Sequence, residues 1–269
     1  MPACLYAVGF FSLTSADGWL HVVGGQYTSG KRPTQSSELS DAVQSLRVNE
    51  LGTSGDPKWT MSRVPRLLMA RCSAGTATFD GHMIVVGGQC RKGLTSTVEA
   101  INLNSSTPNW IFLPPLPVPL ELPQVVVVGD SLVVGLGQTK SGTPNSTLYT
   151  VPLSKVTDYV NCRTVRGTRC SFWRKLSTIP TRDSILVQHL DTLMTIGNLD
   201  NGSMRQTCAM YYDTVTEEWA PMSMSGFCVR TCSTAMVLGD SRLVTIGGWQ
   251  KEKGLSDRVD ITELLCTYH

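Results

Sequence analysis

The residues that could bind metals or act as nucleophiles are scattered along the chain. The four histidines are His21, His82, His189 and His269, and none has a second histidine or a carboxylate at metal-ligand spacing. The nine cysteines contain no C-x-x-C pair, which is typical of a protein in a reducing compartment. The sequence therefore predicts no metal site and no cofactor.

One glycine motif could be mistaken for a nucleotide-binding loop. Gly135-Leu-Gly137 follows an apolar run, but the next residues, QTKSGTPNST, contain Pro144 and open no helix. A bound phosphate would therefore have no helix N-terminus to contact. The chain also contains no Gly-x-Ser-x-Gly elbow and no P-loop. These absences favour a protein that is not an enzyme.

Composition limits the remaining classes of function. The chain has 269 residues, 41% of them hydrophobic, and a net charge of +2, which suits one folded domain over residues 1–269. A nearly neutral chain gives no reason to expect nucleic acid. The most apolar run, 125–134, is interrupted by Gly129-Asp130 and is far shorter than the roughly 20 residues that cross a bilayer. The amino-terminal residues lack the basic start of a signal peptide. We expect a cytoplasmic protein that binds neither nucleic acid nor membrane.

The elements that must position any site repeat along the chain. A short apolar strand ending in glycine recurs as HVVGGQ, IVVGGQ, LVVGLGQ, MTIGNL and VTIGGW. The first glycines are Gly24, Gly87, Gly135, Gly197 and Gly247, so the spacings are 63, 48, 62 and 50 residues. Between these motifs lie Trp59, Trp110, Trp173 and Trp219. A period near 50 residues predicts a repeat array such as a β-propeller.

Each repeat is predicted to contain four short antiparallel strands. Asp- and Gly-rich connectors such as FDGHM and LGDSR suit tight hairpins between the first two strands. No segment shows ten or more residues at helical spacing, which excludes crossover helices and indicates an all-β fold. Long connectors at 49–58 and 157–170 are predicted to be mobile loops, and the alternative is that Arg163, Arg166 and Arg169 make a secondary contact with a partner.

Two segments carry a specific resemblance. MVLGDSRLVTIGGW and AMYYDTVTEEWAPMS resemble the kelch repeat in their double glycine, aromatic-Asp turn and following tryptophan. The resemblance implies a kelch-like β-propeller with five recognisable four-stranded blades, the last of them incomplete. The blades cover approximately residues 4–64, 65–117, 118–180, 181–225 and 226–269. Either the fifth blade stays short or the chain belongs to a six-bladed ring.

The glycines and tryptophans have structural explanations. Glycine permits positive φ and close backbone approach near the propeller axis, and tryptophan fills the wedge between blades. Cys72 and Cys232 each lie fifteen residues before a motif glycine, so they occupy equivalent inner-strand positions. Small residues are needed there. The alternative is a redox-sensitive thiol, which would need a lowered pKa.

The resemblance also implies a class of function. Kelch relatives commonly act as substrate receptors of cullin ubiquitin ligases or as actin-associated scaffolds, which implies a module that binds another protein. The alternative is a degenerate propeller enzyme resembling galactose oxidase or specifier proteins. Their metal-ligand sets cannot be assembled from this sequence.

Topology predicts where a partner would bind. If the four strands of a blade alternate in direction, the second-to-third-strand loops and the blade-to-blade loops emerge on one face. Thirteen cationic side chains fall in these loops against six acidic ones. The cations are Lys31, Arg32, Arg63, Arg66, Arg71, Arg91, Lys92, Lys140, Arg182, Arg205, Arg230, Lys251 and Lys253, and the acids are Glu38, Glu121, Asp183, Asp200, Glu252 and Asp257. That excess of seven favours an acidic segment of a partner protein. The candidate partner-binding residues are Arg71, Arg182, Arg230, Arg66, Arg91, Lys140, Arg205, Gln26, Gln89, Gln138 and Gln250, with the first three as the main anchors.

Overall fold

A computed structural model describes most of the chain. The described residues are 4–5, 7–28, 37–48, 58–162, 172–200, 205–222, 234–238, 242–246, 249–250, 254–255 and 258–263. The chain divides into two compact units. The first contains Met1–Val125, Gly137–Asn145 and Val151–Trp173, and the second contains Val126–Leu136, Ser146–Thr150 and Arg174–His269. The single-domain organisation stays a prediction.

The first blade is a sheet of three strands, β1 (Ser12–Ala16), β2 (Trp19–Val23) and β5 (Val43–Arg47), with β2 in the centre. A separate ribbon, β3 (Gln26–Thr28) with β4 (Ser37–Leu39), extends the connection between β2 and β5. The fourth strand expected at Trp59 is reduced to one bridge between Ser45 and Thr60 in the described residues. The prediction of four full strands was therefore wrong for this blade.

The second blade has the complete pattern. Its strands are β6 (Gly75–Phe79), β7 (His82–Val86), β10 (Val98–Asn102) and β11 (Ile111–Leu113), paired in that order and antiparallel throughout. The ribbon β8 (Gln89–Cys90) with β9 (Gly93–Leu94) connects the second and third strands. Strands β7 and β10 are the most deeply buried, because the blade packs on both of its faces.

The third blade comprises β12 (Gln124–Val128), β13 (Ser131–Gly135), β14 (Leu148–Pro152) and β15 (Arg174–Lys175). A helix, α1 (Leu153–Cys162), follows β14. The helix packs against β10 and β11, and the side chain of its Val156 is fully buried. The segment 157–170 was predicted to be a mobile loop, and this was wrong as far as Cys162. The rest of that segment and residues 49–57 lie outside the described residues.

The second unit contains most of the strand residues of the third blade and all of the fourth and fifth blades. The fourth consists of β16 (Arg182–His189), β17 (Thr192–Asp200), β18 (Arg205–Asp213) and β19 (Glu218–Met222). The fifth has three strands in the described residues, β20 (Thr234–Leu238), β21 (Arg242–Ile246) and β24 (Val259–Glu263), beside a ribbon of β22 (Trp249–Gln250) and β23 (Gly254–Leu255). The all-β, kelch-like propeller with five blades is confirmed. The incompleteness of the last blade stays a prediction, because residues 264–269 lie outside the described residues.

Two tryptophans tie successive connections to their blades. The indole N–H of Trp110 donates to the Pro65 carbonyl at 2.9 Å, and that of Trp173 donates to the Pro114 carbonyl at 2.9 Å. Both rings are buried. Each therefore fills a gap beside the connection that precedes its own blade and satisfies its one polar group there. The structural explanation of these residues is confirmed.

The glycine motifs are places of close backbone approach. Gly24 and Gly87 have φ of 63° and 62°. A Cβ atom added at Gly24 would lie 2.5 Å from the Arg71 carbonyl oxygen, and one at Gly87 would lie 2.7 Å from that of Leu120. Both the positive φ and the lack of space require glycine at these positions.

We predict that Gly87→Ala destabilises the protein by at least about 2 kcal/mol more than Gly129→Ala, because overpacking against backbone adds to the left-handed strain that both share. Gly129 also has a positive φ, 50°, but no atom lies within 4 Å of its added Cβ. Urea unfolding of both variants measures the difference. Equal losses of unfolding free energy in the two variants would show that the positive φ alone, and not the lack of space, requires glycine at position 87.

A buried histidine in the first blade makes the stability of the protein depend on pH. His21 in β2 is 1% exposed, and its Nδ1 lies 2.9 Å from the Ser45 hydroxyl on β5, its cross-strand neighbour. Burial lowers the pKa of His21 to about 4, and the positive charge of Arg63 lowers it further against the opposing effect of Asp17. The folded protein therefore holds this imidazole neutral.

Because the folded pKa lies below the ordinary value of 6.5, the unfolded chain binds more protons between pH 6.5 and 4. The free energy of unfolding should fall as the pH is lowered through this window, by about 2–3 kcal/mol from His21 alone. The His21→Gln variant should lack this component. Denaturant unfolding across the window measures both proteins, and parallel stability curves would contradict the assignment.

Candidate protein-binding surface

Three glutamines start the second-to-third-strand connections of the first three blades, and each forms an antiparallel bridge with the connection that enters its own blade. The bridges are Gly9 with Gln26, Cys72 with Gln89, and Glu121 with Gln138. These residues all belong to the first unit. The two kinds of loop therefore meet at one end of each blade, which we call the loop end of the first unit.

The residue after each bridging partner has a left-handed backbone. Phe10, Ser73 and Leu122 have φ of 54°, 53° and 52°. The Ser73 N–H donates to the Phe10 carbonyl at 2.7 Å, and the Leu122 N–H donates to the Ser73 carbonyl at 2.8 Å. This row of backbone hydrogen bonds fixes the connections in relation to one another within the unit.

The turn of the β8–β9 ribbon carries Arg91 and Lys92, and the Gly137–Asn145 loop carries Lys140. All three side chains are exposed, as are those of Gln89 and Gln138, whereas Gln26 is half-buried. Arg66 is also exposed but pairs with Asp41 at 2.6 Å. Within the described residues, the loop end of the first unit therefore presents three cations in addition to this ion pair.

Arg71 does not belong to this surface. It was predicted to be a main partner anchor, but the side chain is 1% exposed and donates to Glu99 Oε1 at 2.5 Å. It also donates to the carbonyls of Gly87 and Thr97, at 2.8 Å and 3.1 Å. The expected accessible guanidinium is instead the centre of a buried network, because Glu99 on β10 supplies a carboxylate inside the blade.

Glu99 is fully buried and depends on the same network. Burial raises the pKa of Glu99, and this is opposed by the Arg71 guanidinium and by the backbone N–H of Leu68, which donates to Oε2 at 2.7 Å. The pair thus joins the entering connection, at 68–71, to β10. Its function is structural: it holds the connection that leads into the second blade.

The structure also bears on Arg63 and on the redox alternative for Cys72. Arg63 was counted among the cations of the predicted face, yet its guanidinium lies 5.9 Å from the Trp19 ring centroid, at the hairpin end of β2 away from Gln26. Burial raises the pKa of the Cys72 thiol. Cys72 therefore lacks the lowered pKa that a redox sensor needs, while Cys232 lies outside the described residues.

The second unit holds further candidates. Arg182 is exposed, and its backbone lies opposite that of Asn198 in the strand register. The backbone of Arg205 lies opposite that of Asp200 at the tip of the β17–β18 hairpin. Both therefore lie at one end of the fourth blade. Gln250 begins the second-to-third-strand connection of the fifth blade, in β22. Arg230 lies outside the described residues, as do four lysines and arginines counted in the predicted face, Lys31, Arg32, Lys251 and Lys253.

A pocket was missed from the sequence. A cavity of about 450 Å³ at the loop end of the first unit is lined by Val118, Pro119, Thr139, Lys140 and Ser141. Only Lys140 was predicted. The available signal was the proline-rich run at 114–120, PPLPVPL, whose prolines stiffen a connection and expose apolar surface.

The described residues contain no group of three or more His, Cys, Asp or Glu side chains placed to hold a metal ion. In the same residues, no helix has the length and apolar character to cross a membrane.

The family model described as Kelch motif matches residues 70–117. The match begins one residue before Arg71, covers the four strands of the second blade, and ends at Pro117. No curated protein matches the chain. The matched motif and the five sheets confirm the resemblance to kelch-repeat β-propellers, whose fold is commonly a protein-interaction module.

We predict that Arg71→Met and Glu99→Leu each destabilise the protein by about 3–5 kcal/mol, because each leaves a buried charge without its partner. The double variant should recover at least about 2 kcal/mol relative to the sum of the single losses. Equilibrium unfolding measures the cycle. The exposed pair Arg174–Glu217, at 2.6 Å, is the matched control and should lose less than about 1 kcal/mol in Arg174→Met. An Arg71→Met variant as stable as the wild type would contradict the structural assignment.

Proposed function

We propose that the loop end of the first unit binds an acidic segment of another protein. The observation that carries the proposal is the repeated pairing of Gln26, Gln89 and Gln138 with the connections that enter their blades. This pairing brings loops that are distant in sequence to one end. Loops on a rigid scaffold are the usual location of binding residues.

Charge supports an acidic partner. Arg91, Lys92 and Lys140 are exposed on these loops, and the described carboxylates beside them are already engaged or partly buried. Asp41 binds Arg66 at 2.6 Å, Glu38 accepts the Tyr27 hydroxyl at 3.0 Å, and Glu121 is half-buried. A partner carboxylate would therefore meet cations first. Complementary charge of this kind increases association rate and specificity.

The glutamine amides complete the recognition chemistry. An amide side chain offers both a donor and an acceptor, so the exposed Gln89 and Gln138 can pair with the backbone of an extended segment. Arg182 and Arg205 extend the proposal to the fourth blade, and Arg230 and Gln250 to the fifth. Arg71 contributes indirectly by holding the connection.

The proposal is a binding role in the cytoplasm and not an enzymatic one, and it is supported by a kelch-like fold that is commonly a protein-interaction module. A substrate receptor of a ubiquitin ligase and a cytoskeletal scaffold both use a propeller face to hold a protein segment, and either role fits this surface. The acidic segment would belong to the recruited protein.

Short Gly/Ser host peptides that carry several Glu, Gln or Lys residues test the proposal. The Glu peptide should bind most tightly in fluorescence anisotropy, and its affinity should fall as salt is raised, because exposed charges are screened. The triple variant Arg91→Glu, Lys92→Glu, Lys140→Glu should weaken this binding by about tenfold or more.

The matched control reverses three cations outside the proposed surface. Lys155 on α1, Lys175 on β15 and Arg242 on β21 are exposed, so their replacement by Glu removes the same charge from the whole chain. This control should retain affinity within about twofold, because long-range charge alone contributes little at physiological salt. Equal weakening by both triple variants, or equal binding of the Glu and Gln peptides, would refute the proposal.

A further inference from the structure

This inference rests on the proposed function and specifies the partner's chemistry. We propose that the pocket beside Lys140 takes an aliphatic or proline side chain whose neighbour in the partner chain is Asp or Glu. The pocket lies between the connection that joins the second blade to the third and the Gly137–Asn145 loop. Its two walls differ in chemistry.

One wall is apolar and stiff. Val118 and Pro119 line it, and both are half-buried before any partner binds. The neighbouring Leu116 and Leu120 are buried in the core. The Leu116 N–H donates to the Ser96 carbonyl and the Gly88 N–H donates to the Leu120 carbonyl, both at 2.8 Å. The proline-rich connection is therefore anchored on both sides of Val118, and proline leaves few N–H donors to demand polar partners.

The other wall is polar and held by its own turn. The Thr139 N–H donates to the Thr143 carbonyl at 2.9 Å, and the Gly142 N–H donates to the Thr139 carbonyl at 2.8 Å. The hydroxyls of Thr139, Ser141 and Thr143 form a chain, with oxygens 3.0 Å and 2.9 Å apart. These hydroxyls already bond to one another. Among the described lining residues, Lys140 is the one that offers positive charge to a ligand.

The walls are fixed to each other. The Glu121 N–H donates to the Gln138 carbonyl at 2.9 Å, and the Gln138 N–H donates to the Glu121 carbonyl at 2.8 Å. Burial raises the pKa of Cys72 most and the Glu121 charge raises it further, so this carboxylate lies within electrostatic range of the thiol. Glu121 is not among the described residues that line the pocket. A carboxylate entering beside Lys140 therefore meets no acidic side chain among the described lining residues.

The size and lining of the pocket decide the occupant. A volume of about 450 Å³ falls in the range of roughly 300–1,000 Å³ typical of ligand pockets. Such a volume accepts an aliphatic side chain together with part of its neighbour. Burying apolar surface against Val118 and Pro119 is favourable, and Lys140 pairs with an adjacent carboxylate. An acidic residue without an apolar neighbour leaves the apolar wall exposed to water.

A peptide array tests this specificity. Two adjacent central positions of the Gly/Ser host peptide are varied over all residue pairs, and binding of the purified protein is measured. Pairs of Leu, Ile, Val, Met or Pro with Asp or Glu should bind most tightly, about tenfold above Ser-Glu and above Leu-Gln pairs. Val118→Ser should abolish the preference for the aliphatic residue, and Lys140→Gln the preference for Glu over Gln.

Matched controls change the same residue types elsewhere. Val215, a turn residue that is 89% exposed, is replaced by Ser, and the exposed Lys155 on α1 is replaced by Gln. Both should keep the array pattern, and thermal unfolding checks that all four variants fold. If acidic peptides bind through Arg91 and Lys92 without an aliphatic preference, the pocket inference fails while the proposed function stands. If no acidic peptide binds, both fail.

Discussion

The close approach of backbone to backbone at the glycine motifs is the constraint on which the rest of the structure depends. At Gly25 and Gly88 an N–H reaches the carbonyl of the connection that enters the next blade, Arg71 in one case and Leu120 in the other, at 2.8 Å. A side chain at Gly24 or Gly87 would occupy the space that these connections need. The repeated glycine motifs therefore set the backbone positions of the loop end, whichever side chains its surface carries.

This constraint separates the roles of neighbouring residues. The main chain of a connection is held by glycine contacts, so its side chains can either stabilise the blade or face solvent. Arg71 stabilises the blade, since its guanidinium binds Glu99 inside the second blade. Val118 and Pro119 instead face an open pocket, which they line. Equivalent connections can thus have different functions on a common scaffold.

Much of the fold could be predicted from the sequence because it repeats. The glycine motifs, tryptophans and Asp-Gly hairpins each have a local physical cause, and the sheets follow from their period. Helix α1 was missed because its apolar residues Leu153, Val156 and Val160 span too short a window to show a clear period. Tertiary packing of Val156, which is fully buried, stabilises such a short helix.

The surface was harder to predict than the fold. Topology placed Arg66, Arg91 and Lys140 at the loop end, but sequence distance concealed the partner of Arg71. Glu99 was the available signal: a lone carboxylate in the apolar strand STVEAINL needs a buried cation. Arg63 lies at the opposite end of the blade, where its guanidinium is attracted to the nearby Trp19 ring. Charge counts along the sequence cannot distinguish these cases.

Hydrogen–deuterium exchange of the protein saturated with the tightest-binding peptide of the array locates the bound segment directly. We expect slower exchange at residues 89–94, 117–122 and 137–145, where the loops of the first unit meet, and unchanged exchange in α1. Protection concentrated in α1 or in the turn at 214–217, with these three segments unaffected, would contradict it.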